Sequence, residues 1–318
     1  MTGSLPSDVQ SVFERFVTTE YTTVDSRGQP ITWPVTPYYH AGEDCVDVTT
    51  GVGYPKKADD ASANPHVSLL FSDPNGSGMD KPPMVLVQGT ARVDEEDVRA
   101  NADRYFREST AKLPAVKSQM PPKFAHRFLG WYFDRIYVHV WPERVYVWQD
   151  CDPTNEPTLY DTHLEEVRSG HSEEPEESLP APDAGAPAWD DRMNELGERY
   201  PSAVVSLVSP DGFPFSLRVP VRVDRQARRV RIEAEALGVP VHPGLACLTA
   251  HDHAPDFAWQ RNFQVRGDLI AEDDGWSIVP HKLVGGFELP PAGIVARTRL
   301  NWKKMRRFRK IHKARARR

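Results

Sequence analysis

Two adjacent lysines, Lys56 and Lys57, follow a glycine-bearing turn in the stretch Val48 to Asp73, VTTGVGYPKKADDASANPHVSLLFSD. Gly51, Gly53 and Pro55 break a strand there and leave backbone N–H groups free to face a ligand. A helix that starts at the lysines adds its N-terminal partial charge. Donors, ammonium groups and dipole together suit an anion such as a phosphate. The same residues also fit a plain solvated Lys-Lys loop. Other reactive residue types lack productive spacing. There is no GxSxG, no plausible Cys–His pair in sequence, and no HExxH among the 11 histidines. The three cysteines, Cys45, Cys151 and Cys247, form no CxxC, so no metal site is expected. His251 and His253 flank Asp252, and a loop HDH is more often solvated than a ligand set.

The elements that must position the lysines follow from periodicity. Val46, Val48 and Thr50 alternate with polar or small residues, as in a half-buried strand. Ala58 to Asn64 predicts a turn or two of helix, stopped by Pro65, and Val67 to Phe71 a buried strand. Upstream, Val9, Val12, Phe13, Phe16 and Val17 share one face of a leading helix. Tyr21 to Val24 is a strand, Asp25 to Gly28 a hairpin turn, and Ile31 to Tyr39 a returning edge strand interrupted by Pro34 and Pro37. Downstream come a strand over Met84 to Val93, a helix over Glu95 to Ser109, a helix over Pro121 to Trp131, and Tyr137 to Trp148 as two strands or one bent at Pro142-Glu143. A meander of about six short strands suits a barrel better than a parallel α/β sheet.

At 318 residues the chain has room for two domains, with a mean hydropathy of −0.54 and no apolar run approaching a membrane span. MTGSLPSDVQ lacks the regions of a signal peptide, and sparse cysteines argue for a reducing cytoplasm. Residues 151–187 hold an acidic Pro/Ser-rich run that reads as a linker. The last 26 residues, Gly293 to Arg318, carry 12 Lys/Arg and no Asp/Glu. Removing their +12 from the net −6 leaves −18 for the acidic body.

After the linker the pattern restarts, with a helix over Asp190 to Tyr200 and strands at Ala203 to Val208, Phe213 to Val223, Val230 to Ala234, Leu245 to Thr249 and Phe263 to Ala271. Gly28-Gln29-Pro30 matches Gly212-Phe213-Pro214, and Val46-Asp47-Val48 matches Val230-Arg231-Ile232, both at an offset of 184. Val67 to Leu70 matches Leu245 to Leu248, and Val87-Gln88-Gly89 matches Val265-Arg266-Gly267, both at 178. The second copy therefore lacks six residues between the counterparts of Val48 and Pro65, where the lysines stand. An internal homodimer is expected, with an anion site in the first half only. Gln88 and Arg266 hold equivalent positions from which either could reach the cleft between halves.

These motifs resemble the pyridoxamine-5′-phosphate-oxidase-like split β-barrel family, which includes flavin and deazaflavin oxidoreductases. The residues carrying the resemblance are Asp25, Gly28 and Pro30, then Lys56 and Lys57, Asn64, Pro65, Val67, Ser68 and Leu69, then Val87, Gly89, Ala91 and Val93. It implies a mainly β fold, two tandem split β-barrels forming a pseudo-dimer with a basic C-terminal helix. The divisions are 1–150 for the cofactor barrel, 151–187 for the linker, 188–290 for a degenerate barrel and 291–318 for the tail. It implies FMN or the deazaflavin F420, less readily haem, in the cleft between barrels, and hydride transfer to or from a small organic substrate. By residue, Lys56 and Lys57 would meet the phosphate, Thr32, Trp33, Pro34 and Val35 would run past the ring, and Thr49, Thr50 and Gly51 would offer donors. No catalytic side chain is assigned, because the cofactor carries such chemistry.

A non-catalytic flavin- or haem-binding carrier or sensor is the alternative reading. Trp33, Tyr38 and Tyr39 would stack on a ring or serve simply as sheet-face aromatics, and His66 reads as a loop histidine. The basic tail reads as a docked helix, with an anionic surface or an anionic cofactor tail as other partners. A pI of about 6.0 argues against nucleic-acid binding by the whole protein, and a further homodimer stays open.

Overall fold

The computed structural model describes residues 5–40, 42–113, 133–161, 187–233, 237–273, 275–289 and 311. The expected helix over 121–131 and the basic tail, apart from Ile311, lie outside the described residues.

The first half opens with α1 (Ser7–Arg15), which buries Val9, Val12 and Phe13. Phe13 packs on Phe71 at 5.1 Å between ring centroids. Seven strands then build the first half as an incompletely closed barrel, β1 (Thr19–Val24), β2 (Pro30–Val35), β3 (Tyr38–His40), β4 (Cys45–Gly51), β5 (His66–Phe71), β6 (Met84–Asp94) and β7 (Arg135–Trp148), whose end strands β2 and β3 do not pair. Between them lie α2 (Lys56–Ala63) and α3 (Val98–Lys112). The strand order is β2-β1-β5-β6-β7-β4-β3. The expected single strand over Ile31 to Tyr39 is two, because Thr36 and Pro37 interrupt it and proline has no N–H for a ladder.

A short strand, β8 (Thr158–Asp161), pairs with β7 inside the segment read as linker. Upstream of β8, the Trp148 indole donates to the Asn155 carbonyl at 3.0 Å, which ties this stretch to the barrel.

The second half follows the same plan. Helix α4 (Arg192–Arg199) precedes β9 (Ser202–Val208), β10 (Pro214–Asp224), β11 (Arg229–Ile232), β12 (Gly244–His253), β13 (Gln260–Glu272) and β14 (Gly275–Leu289), which close as β10-β11-β14-β13-β12-β9. Strand β10 runs through without the break that separates β2 from β3. Strand β14 had no counterpart among the sequence expectations. Its register identifies it as the copy of β7: Gly89 faces Pro142 and Gly267 faces Pro280, each beside a bulge at the same place. A Cβ on Gly89 would collide with the Trp141 carbonyl, and one on Gly267 with the Val279 carbonyl. Glycine is thus required twice by one close approach.

The barrels pack on each other about a pseudo-two-fold axis. Four hydroxyls mark it: Thr22 and Thr32, and their counterparts 184 residues on, Ser206 and Ser216. Thr32 Oγ1 donates to Ser206 at 2.6 Å, Thr22 meets Ser216 at 3.0 Å, and each barrel's own pair lies at 2.9 and 2.8 Å. One apolar cluster continues across the contact, joining Leu70, Leu86 and Trp148 to Val204, Leu217 and Leu248. A second, including Phe13, Val48, Leu69 and Val138, fills the first barrel.

Candidate functional site

The lysines lie where the expectation put them, at the start of α2. Strand β4 ends at Gly51, the Tyr54 N–H returns to the Gly51 carbonyl at 2.8 Å, and Pro55 precedes the helix. Thr50 Oγ1 donates to the Tyr54 carbonyl at 2.8 Å and so pins the turn instead of facing outward. Ala58 and Ala61 are buried, and their small side chains let the helix sit close against the barrel. The helix stops at Asn64, extended before Pro65.

The two lysines have different surroundings. Lys56 is half exposed and bonds Asp60 at 2.9 Å, one turn along the helix, with Asp25 at 3.9 Å. Its charge is already matched. Lys57 makes no hydrogen bond or ion pair among the described residues. Burial first, and then the Arg135 guanidinium, push its ammonium down to about 8. A half-buried cation beside a second cation, with no bonded carboxylate among the described residues, is an arrangement that an anion would relieve.

Arg135 had no signal in the sequence. The pairing of β4 with β7 sets it opposite Gly51. Its guanidinium lies 4.4 Å from the centre of the Tyr105 ring on α3. Tyr38 meets Tyr105 edge-on, and its buried hydroxyl has no hydrogen-bond partner among the described residues. Lys112, also unforeseen, donates to the Pro37 carbonyl at 2.6 Å, and burial takes its ammonium down to about 7.

The other expected residues divide into two groups. Gly51 and Thr49 sit on β4 beside Arg135 and Tyr137. Thr32 is fully buried between the barrels, and its carbonyl accepts from Thr249 at 3.0 Å and from the Gln264 amide. Trp33, Pro34 and Val35 are half-buried along the rest of β2. No hydrogen bond or ion pair among the described residues links these four to Lys57.

Gln88 does reach across, donating to the Pro214 carbonyl at 3.0 Å, while Arg266 stays on Gln264. His66 begins β5 and stacks on Phe213 of the second barrel at 4.0 Å. Tyr39 packs on Phe13.

Two further polar clusters are buried. Cys45, Asp47 and His139 bring three metal-competent atoms within 4.8 Å of one another, all buried. Asp47 is already saturated: His139 at 2.7 Å and Cys45 at 3.2 Å share one oxygen, and Arg104 holds the other. The group ties α3 to the outer face of β4 and β7. The second cluster corrects the HDH reading. Strand β12 extends through His253, so His251 and His253 are buried and not solvated in a loop. Glu20 of β1 accepts from Arg218 at 3.0 Å and from Ser72 at 2.8 Å, and meets His251 at 2.6 Å. It is an ion-pair network across the barrel contact.

No family model and no curated protein matches the chain. Solved structures do. A putative pyridoxamine 5′-phosphate oxidase from Listeria innocua is 15% identical over 44% of this chain and 95% of its own, with a TM-score of 0.32. The chain is similar to pyridoxamine 5′-phosphate oxidase-like structures. An F420 reductase is 18% identical over 44% of this chain and 98% of its own, at a TM-score of 0.33. A pyridoxamine 5′-phosphate oxidase-related, FMN-binding protein from Nostoc punctiforme is 13% identical over 46% and 86%, at 0.31. No helix among the described residues is long and apolar enough to cross a membrane.

Proposed function

We propose that the chain is an oxidoreductase that holds a flavin-type cofactor by its phosphate at the start of α2, with FMN preferred to F420. The observation that carries this reading is Lys57, a half-buried ammonium without a bonded carboxylate among the described residues. An anion there would meet Lys57, the N-terminal dipole of α2 and the field of Arg135. Two cations favour a phosphate monoester, which carries up to two negative charges, over a diester, which carries one.

Lys56 keeps a supporting part, holding α2 against the β1–β2 turn through Asp25 and Asp60. The Gly51 carbonyl closes the turn by accepting from the Tyr54 N–H, and Thr50 fixes it. Trp33, Pro34 and Val35 would flank the ring. Thr32 instead holds the second barrel in place as the far wall. The bound flavin would supply hydride transfer to or from a small organic substrate, and the protein's part is binding, orientation and water exclusion.

The test is titration of the purified protein with FMN and with F420, followed by cofactor fluorescence, then turnover with a reductant. Saturable binding with FMN the tighter of the two supports the reading. Failure to bind either removes it, and tight binding without turnover on any reductant would make the protein a carrier.

A further inference from the structure

The pseudo-two-fold axis gives every site on the first barrel a counterpart on the second. We infer that only one of the two can take a phosphate, so that each chain binds a single phosphate-bearing ligand. This inference rests on the reading of Lys57 given above.

The counterpart corner lacks the parts of the first one. Pro142 and Pro280 fix an offset of 138 between β7 and β14, which sets Asp273, in the turn before β14, at the position of Arg135. Beside it, Glu272 is held by Arg229, by Arg231 at 3.6 Å and by Ser277 at 2.6 Å. At the offset of 184, the counterpart of Thr49 is Glu233, which pairs with Arg222 at 3.0 Å. Between β11 and β12 the described residues contain no helix, and the six-residue deficit leaves no place for Lys56 or Lys57. An incoming phosphate would meet arginines already paired with carboxylates where the first barrel offers a lysine without a bonded carboxylate among the described residues.

The barrel contact is asymmetric in the same sense. The counterpart of Pro34 is Arg218, and the counterparts of Glu20 and Ser72 are Val204 and Ala250. On one side of the axis Arg218 therefore binds Glu20, Ser72 and His251, at 3.0, 2.9 and 2.7 Å. On the other, proline, valine and alanine offer nothing to pair. A ligand running along β10 as one would along β2 has its path filled by that ion pair.

Isothermal titration of the full chain with FMN reads the stoichiometry directly. One FMN per chain is expected. Two per chain would overturn the inference and leave the Lys57 reading standing, and no binding of FMN or F420 would overturn both. The variant Lys57→Gln, its fold checked by circular dichroism and melting, should lose affinity at least tenfold at the one site. Retention of one full-affinity site by this variant would place the phosphate away from Lys57 and remove the reading on which the inference rests.

Discussion

Lys57 and Arg135 form a like-charged pair at the open end of β4 and β7, with no carboxylate bonded to the lysine among the described residues. Lys56, one residue earlier, is bracketed by Asp25 and Asp60. The contrast separates a lysine that braces a helix from one with no bonded carboxylate among the described residues.

Lys57 should make phosphate binding pH-dependent. Its ammonium is charged below about 8 and loses its charge above. FMN affinity should therefore hold below that pH and fall above it, approaching about tenfold per unit if one proton is linked. Lys57→Arg, which stays charged throughout, should bind FMN with a flat profile across the same range. An identical decline in the variant would assign the inflection to another group.

Without ligand, Lys57 costs stability. A lysine whose folded value lies below its unfolded value destabilises fully below the folded value, and the penalty fades as pH rises toward the unfolded one. Thermal melts of the free protein should then improve between about pH 8 and pH 10 through this group. At pH 7, Lys57→Met should raise stability by on the order of 1–2 kcal/mol while abolishing the ligand-induced shift in Tm. A destabilised variant would mean that the ammonium has a partner.

The network of Glu20, Arg218 and His251 holds the barrels together at a buried position. Glu20→Gln leaves the guanidinium without its counter-charge and should cost about 3 kcal/mol in denaturant unfolding. The pair Glu20→Val with Arg218→Leu should cost less than either single change, since removing both charges avoids an orphan. Additive losses would show that the two residues do not interact.

The bulges can be tested by adding one carbon. Gly89→Ala drives a Cβ into the Trp141 carbonyl, and a loss of about 3 kcal/mol or more is expected. Gly28→Ala meets nothing within 4 Å and is limited by its φ of 75°, so a loss of about 1 kcal/mol is expected. Equal losses in urea titrations would remove the steric argument.

Much of this was readable from local pattern. Alternation at Val46, Val48 and Thr50 announced β4, and the halt at Pro65 announced the end of α2. The repeat offsets announced two barrels of one plan. What escaped was set by pairing over long range. Arg135 is far from Lys57 in sequence and arrives only through its register with Gly51. Strand β14 hides because Pro280, Gly285 and Gly286 spoil its alternation, and only its ladder with β13 defines it. The HDH run looked like a loop because its histidines are polar, yet Glu20 and Asp73 from the other barrel receive them. No spacing rule marks which of two neighbouring lysines already has partners. That depended on the placement of Asp25 as well as the helical neighbour Asp60.

The central claim is that the ligand is held by its phosphate. The most direct measurement compares FMN with riboflavin, the same ring and ribityl chain without the phosphate, by fluorescence titration at pH 7. The account predicts that riboflavin binds at least about tenfold more weakly, as expected for losing a charge-assisted contact. Equal affinity for the two would contradict it.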